Sequence, residues 1–154
     1  MGKVDQAKNE VADALTQVTR EGDFFKMYLQ NQLAEIQLKM GDVHEAQSQL
    51  KQVLAVPSKN HLIETQKVEA HFLMGQISHS QNDYRKAIEQ FRKAHNLNLT
   101  IYPQGHISHA KFLVALGAEK IKLEESFEEG KFNLMTALSI QQAGLVAGDA
   151  ELIK

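Results

Sequence analysis

The sequence predicts an all-α fold, an α-α superhelix of about seven antiparallel helices, and three observations carry that reading. A motif recurs at Gly2, Gly41, Asn82 and Glu125, spaced 39, 41 and 43 residues apart. Apolar residues recur at steps of three and four, the helical period, with no strictly alternating run. Gly, Asn and Pro fall between the periodic segments, where helix pairs need turns. A fixed period near forty means stacked units that share a continuous core.

The four aligned segments are the second halves of the units. They read Gly2-x-Val4-x-x-Ala7-x-x-x-Val11-x-x-Ala14, then Gly41, Val43, Ala46, Leu50, Val53. Asn82, Tyr84, Ala87, Phe91, Ala94 follow, and then Glu125, Phe127, Gly130, Leu134, Ala137. The small residue in the middle of each face implies a close neighbour. The first halves are the amphipathic runs Phe24–Leu38, Leu62–Ile77 and Ile107–Ala118. The expected organisation is one domain over 1–154. It holds a half repeat (1–20), three repeats (21–57, 58–99, 100–144) and the start of a further helix (145–154).

The punctuation assigns the ends. Gly41 suits a helix C-terminal cap because it accepts a left-handed backbone, and Asn82 is the next best residue there. Pro57 and Pro103 each follow a second-half helix. Ser58 or Asn60 caps the helix after Pro57. Ser126 with Glu129 fits a capping box. Gly144 and Gly148 are expected to end the last long helix.

Composition bounds the function. Seventeen basic against nineteen acidic residues give −2, so no electrostatic footprint for nucleic acid or an anionic membrane appears. The absence of cysteine excludes disulfides, thiolate catalysis and Cys-based zinc sites. It fits a reducing compartment, and a cytoplasmic location is expected. The N-terminus lacks an apolar run of the secretory type. The seven histidines include His71 with His79 and His106 with His109, but no HExxH or comparable set. No Walker loop, GxSxG or GxGxxG occurs. The Glu124-Glu125 and Glu128-Glu129 pairs read as a solvated helix start at the positive dipole end. No enzyme activity, cofactor or metal is expected.

Two helices per unit, with Leu-Ala or Met-Gly in the first, Gly-Asp or Asn-Asp at the turn, then Val or an aromatic and a small residue: this resembles the tetratricopeptide repeat. The best copy is Phe72-Leu73-Met74-Gly75, Asn82-Asp83-Tyr84, Ala87, Phe91, Ala94. The repeats exceed the family's usual thirty-four residues, which resembles the subclass with roughly forty-residue repeats. In the third copy either Gly117-Ala118 or, with one residue inserted, Leu116-Gly117 fills the small-residue pair.

The resemblance implies a non-catalytic module that binds a peptide or helical segment of a partner protein in a concave groove. The family's groove spacing selects Tyr28, Asn31, Glu35 and Leu38, then Glu69, Phe72, Gln76 and His79, then Phe112, Ala115, Glu119 and Lys122. Tyr28, Phe72 and Phe112 would form an aromatic ladder; the alternative packs Phe72 and Phe112 between helices. The pattern of a two-carboxylate clamp is absent apart from Asn31, and Glu35, Glu69 and Glu119 favour an apolar or amphipathic segment with basic residues. The runner-up is a regulatory receiver fragment of a peptide-sensing regulator. The half unit at Val4, Ala7, Val11 and Ala14, and Leu152-Ile153 at the other end, suggest a homodimer through uncapped ends.

Overall fold

A computed structural model describes residues 2–17, 22–123 and 126–152. Among these residues the structure is all-helical. It comprises α1 (Gly2–Gln17), α2 (Gly22–Met40), α3 (Val43–Ala55), α4 (His61–Ser80), α5 (Tyr84–Ile101), α6 (Ala110–Lys122) and α7 (Phe127–Leu152). A 3-10 turn, Ile107–His109, precedes α6. The chain divides into two compact units, 1–77 and 78–154.

In the first unit, α2 ends in a Schellman motif. Gly41 adopts φ 87°, its N–H donates to Leu38 O (3.1 Å), and the Asp42 N–H donates to Gln37 O (2.8 Å). The turn is therefore closed in two residues and α3 runs back along α2. The buried face of α3 is Ala46, Leu50 and Val53, each fully buried. These side chains join Met27 and Ala34 of α2 with Ile63, Ala70, Leu73 and Ile77 of α4 in one core. Burial of such aliphatic side chains, about 1.5–3 kcal/mol each, is the main term holding the unit together. Val56, before Pro57, is extended, as the ring of the following proline requires, and that ends α3. Asn60 then caps α4, its Oδ1 accepting from the Ile63 N–H at 3.0 Å.

The second unit repeats the device with a different residue. Asn82, at φ 59°, takes the left-handed position. The Asn82 N–H donates to His79 O, and the Asp83 N–H to Ser78 O, both at 2.9 Å. Asp83 caps α5 by accepting from the Lys86 N–H at 3.2 Å. Ala87, Phe91 and Ala94 are the buried face of α5.

The last helix departs from expectation. Gly144 and Gly148 do not end it, and the separate helix expected over 145–154 is not formed: α7 continues to Leu152. Gly144 is instead a packing glycine, since a Cβ there would stand 3.2 Å from Ile107 Cδ1. The expected capping box at Ser126 is also altered, because Glu129 pairs with Lys120 Nζ at 2.8 Å. Glu128 and Glu129 do occupy the first turn of α7; Glu124, Glu125 and Ile153 lie outside the described residues.

Candidate functional site

The first helices of the repeats carry the candidate residues, and each unit presents its own set. In the first unit, Tyr28 is 43% exposed and its ring stacks on Phe25 at 6.4 Å. Both rings are partly exposed and lie side by side on the surface of α2. Glu35, one turn beyond Asn31, pairs with Lys39 at 2.8 Å on the helix surface. Leu38 is half-buried against the core.

Asn31 sits between them but is buried. Its Nδ2 donates to Gln66 O (2.9 Å) and to Gln66 Oε1 (3.2 Å), which ties α2 to α4 side by side. Its Nδ2 group is committed to holding the two helices together, while Oδ1 is buried with no hydrogen-bond partner among the described residues. On α4, Glu69 stands three residues beyond Gln66 and is half-buried; Phe72 is half-buried as well, and Gln76 is exposed. In the first unit Tyr28 and Glu35 thus lie on α2, and Glu69, Phe72 and Gln76 lie on α4.

The second unit corrects the expectation at Phe112 and Glu119. Phe112 is 1% exposed, a core residue, so the aromatic ladder does not extend to it. Its ring lies 6.3 Å from that of His95. Glu119 is 3% exposed, and its Oε1 is 2.6 Å from His79 Nδ1 and 3.9 Å from Lys122 Nζ. The reason is register. A Cβ on Gly117 would stand 2.8 Å from Gly130 O, and one on Gly130 would stand 2.8 Å from Gly117 O. Gly117, not Ala118, is therefore the small residue of this repeat, with one residue inserted before Gly130. The same spacing counted from Gly117 selects Lys111, Val114, Ala118 and Ile121 in place of Phe112, Ala115, Glu119 and Lys122. Lys111, Val114 and Ala118 are exposed.

One histidine of the second unit is held inside the helix packing. His109 is buried; its Nε2 donates to Pro103 O (3.0 Å) while Nδ1 accepts from Asn98 Nδ2 (3.0 Å). His106, three residues before it, stacks on Tyr102 at 4.5 Å. Burial, and then the charge of His109, hold His95 below the usual imidazole range. No group of three or more metal-ligating side chains occurs among the described residues. No described helix is long and apolar enough to cross a membrane.

Two features had not been expected. One is a cavity of about 330 Å³ in the second unit, lined by His95, Leu99, His109, Leu113, Phe132 and Ile140 among others. The other is an apolar face on α7, with Phe132, Met135, Leu138, Leu145 and Val146 all more than half exposed. A signal for it was present: residues 132–148 contain no charged side chain.

The tetratricopeptide repeat family model matches residues 23–99, half of the chain, covering α2 to α5. The chain belongs to the tetratricopeptide repeat family. Repeats of this family generally mediate protein–protein interaction. A comparison with curated proteins gives no match.

Proposed function

We propose that this tetratricopeptide repeat chain is a non-catalytic module that binds an amphipathic, basic peptide or helical segment of a partner protein on the face formed by α2 and α4. The observation that carries this reading is the exposed Tyr28–Phe25 aromatic pair on the same helix as Glu35, beside the helix that bears Glu69 and Phe72. Aromatic anchors supply contact area at low entropic cost, and carboxylates around them select basic segments through complementarity. Asn31 supports the site from beneath by fixing α2 against α4.

A panel of amphipathic helical peptides of graded charge, titrated by calorimetry at low salt, tests it. The basic members should bind, and Glu35→Lys with Glu69→Lys should abolish the preference while circular dichroism shows the fold retained. Phe72→Ser should weaken binding beyond its effect on stability. Equal affinity for basic and acidic peptides, or a double reversal without effect, would reject this face.

A further inference from the structure

Three helices of the second unit enclose the cavity of about 330 Å³. Both α5 and α7 pack on α6, and the cavity lies between them. His95 and Leu99 of α5 form one wall; Phe132, Thr136 and Ile140 of α7 form the other. Leu113 of α6 and His109, both buried, close it beneath, and the exposed Gln104 and Gly105 also line it. The α7 wall is not the face of a second helix that the next helix covers. Counted from the small residues Ala87 and Gly130, Phe132 and Thr136 correspond to Glu89 and Lys93 of α5. Those two pair with each other at 2.6 Å and stay exposed although α6 packs on α5. Where α5 carries an ion pair, α7 thus carries an aromatic ring and a hydroxyl turned to an inner cavity.

We propose that this cavity binds a small, neutral aromatic molecule carrying one or two hydrogen-bonding groups. Size argues first. At about 30 Å³ per non-hydrogen atom, the share one water takes in the liquid, the cavity holds roughly ten such atoms. That is a molecule of one or two rings, and too little for a partner helix, which is about 10 Å across. Charge argues next. No Asp, Glu, Lys or Arg lines the cavity, and His95 is held neutral near pH 7 by its burial and by His109. An ionised guest would leave water and meet no counter-charge. Leu99, Leu113, Phe132 and Ile140 supply apolar contact, and the His95 and Phe132 rings offer edges and faces to an aromatic guest. The polar groups set the last feature. His109 has both nitrogens committed, to Pro103 O and to Asn98 Nδ2, and the Thr136 hydroxyl donates to Phe132 O. The His95 ring and the Asn133 amide make no hydrogen bond to another described residue, so each keeps a donor and an acceptor for a guest. This inference goes beyond the peptide-binding reading, which rests on α2 and α4 alone.

Indole is the probe: it is neutral, has one N–H, and the chain has no tryptophan, so its fluorescence is read against tyrosine alone. Titrated with the full chain, indole should bind at one site with a Kd below about 1 mM, within reach of a ligand of about nine non-hydrogen atoms. Benzoate, of similar size but charged, should bind more than about tenfold more weakly. Leu99→Glu places a carboxylate on the wall at an exposed position, and should weaken indole more than about tenfold with circular dichroism unchanged. His95→Phe with Asn133→Leu removes the uncommitted polar groups and should weaken it about threefold or more. Leu62→Glu, exposed on α4 of the first unit, should leave it unchanged. Amide chemical shifts should move most at Leu99, Gly105, Asn133 and Thr136. The Glu35→Lys, Glu69→Lys chain should bind indole normally, so the peptide face and the cavity stand or fall separately. No saturable binding, benzoate as tight as indole, shifts centred elsewhere, or an affinity that neither cavity variant lowers would each overturn the proposal.

Discussion

The α2–α3 hairpin of the first unit and the α6–α7 hairpin of the second bring two helices together by different means. In the first, Ala34 and Ala46 are the small residues, both fully buried, and the chain turns through Gly41 and Asp42. In the second the contact is glycine on glycine, Gly117 against Gly130, with no room for a methyl group on either. The extra residue in that hairpin shifts every later position by one. The comparison teaches that the small-residue contact, not the turn motif, defines the register of a repeat. A turn can lengthen and the helices still meet where side chains allow it.

The largest effect should come from Phe112, which the shifted register places in the core. Phe112→Ala should lose about 3–5 kcal/mol in chemical denaturation. Tyr28→Ala, exposed on the equivalent first helix, should stay within about 0.5 kcal/mol. Equal losses would mean that the two helices share one register after all.

Next is the helix contact itself. Gly130→Ala places a methyl group 2.8 Å from Gly117 O and 3.0 Å from Ile121 N, backbone atoms that cannot move aside alone. The overpacking should cost about 1–3 kcal/mol by thermal unfolding, although alanine is ordinarily the better helix former. Ser139→Ala, on the exposed side of the same helix, should be neutral or slightly stabilising.

The turns offer a smaller contrast. Gly41→Ala forces a Cβ into the left-handed region and should cost about 1–2 kcal/mol. Asn82→Gly, at the equivalent place between α4 and α5, should cost little, since glycine takes that backbone freely. The pair is best measured by urea midpoints at constant slope.

The smallest effect is one of pH. His95 has its folded pKa depressed, so the unfolded chain binds the proton more readily. Its contribution is present in full above the unfolded value of about 6.5 and is lost as pH falls below it. His95→Gln should flatten that part of the stability–pH curve. A wild-type curve already flat across this range would refute the assignment.

Much of the fold was legible because it is written several times. Four copies of a small residue flanked by apolar positions, with Gly41 and Asn82 at the turns, define the helix pairs without any tertiary information. The candidate site was harder to read. The family's groove spacing selects Tyr28 and Gln76, which are exposed, and Glu35, which is half-buried, but a single inserted residue moved Phe112 and Glu119 from the intended surface into the core. Nor does a pattern of spacing distinguish an amide that meets a ligand from one that meets a neighbouring helix, as Asn31 does. Gly144 misled for a related reason: glycine is needed both where a helix stops and where another side chain presses against it, and only the position of Ile107 separates the two.

The Asn31–Gln66 bridge has a consequence for how the first unit opens. In an array of repeats each neighbour contact behaves like a coupling constant, and its strength decides how far a local fluctuation spreads before it dies out. A buried amide linking two successive first helices raises that coupling, because separating them strands a donor away from water. Amide protons of α2 and α4 should then exchange with solvent in a single shared event rather than two. In a variant with alanine in place of Asn31, the two helices should breathe on separate timescales, and the proposed binding face would come apart one strip at a time.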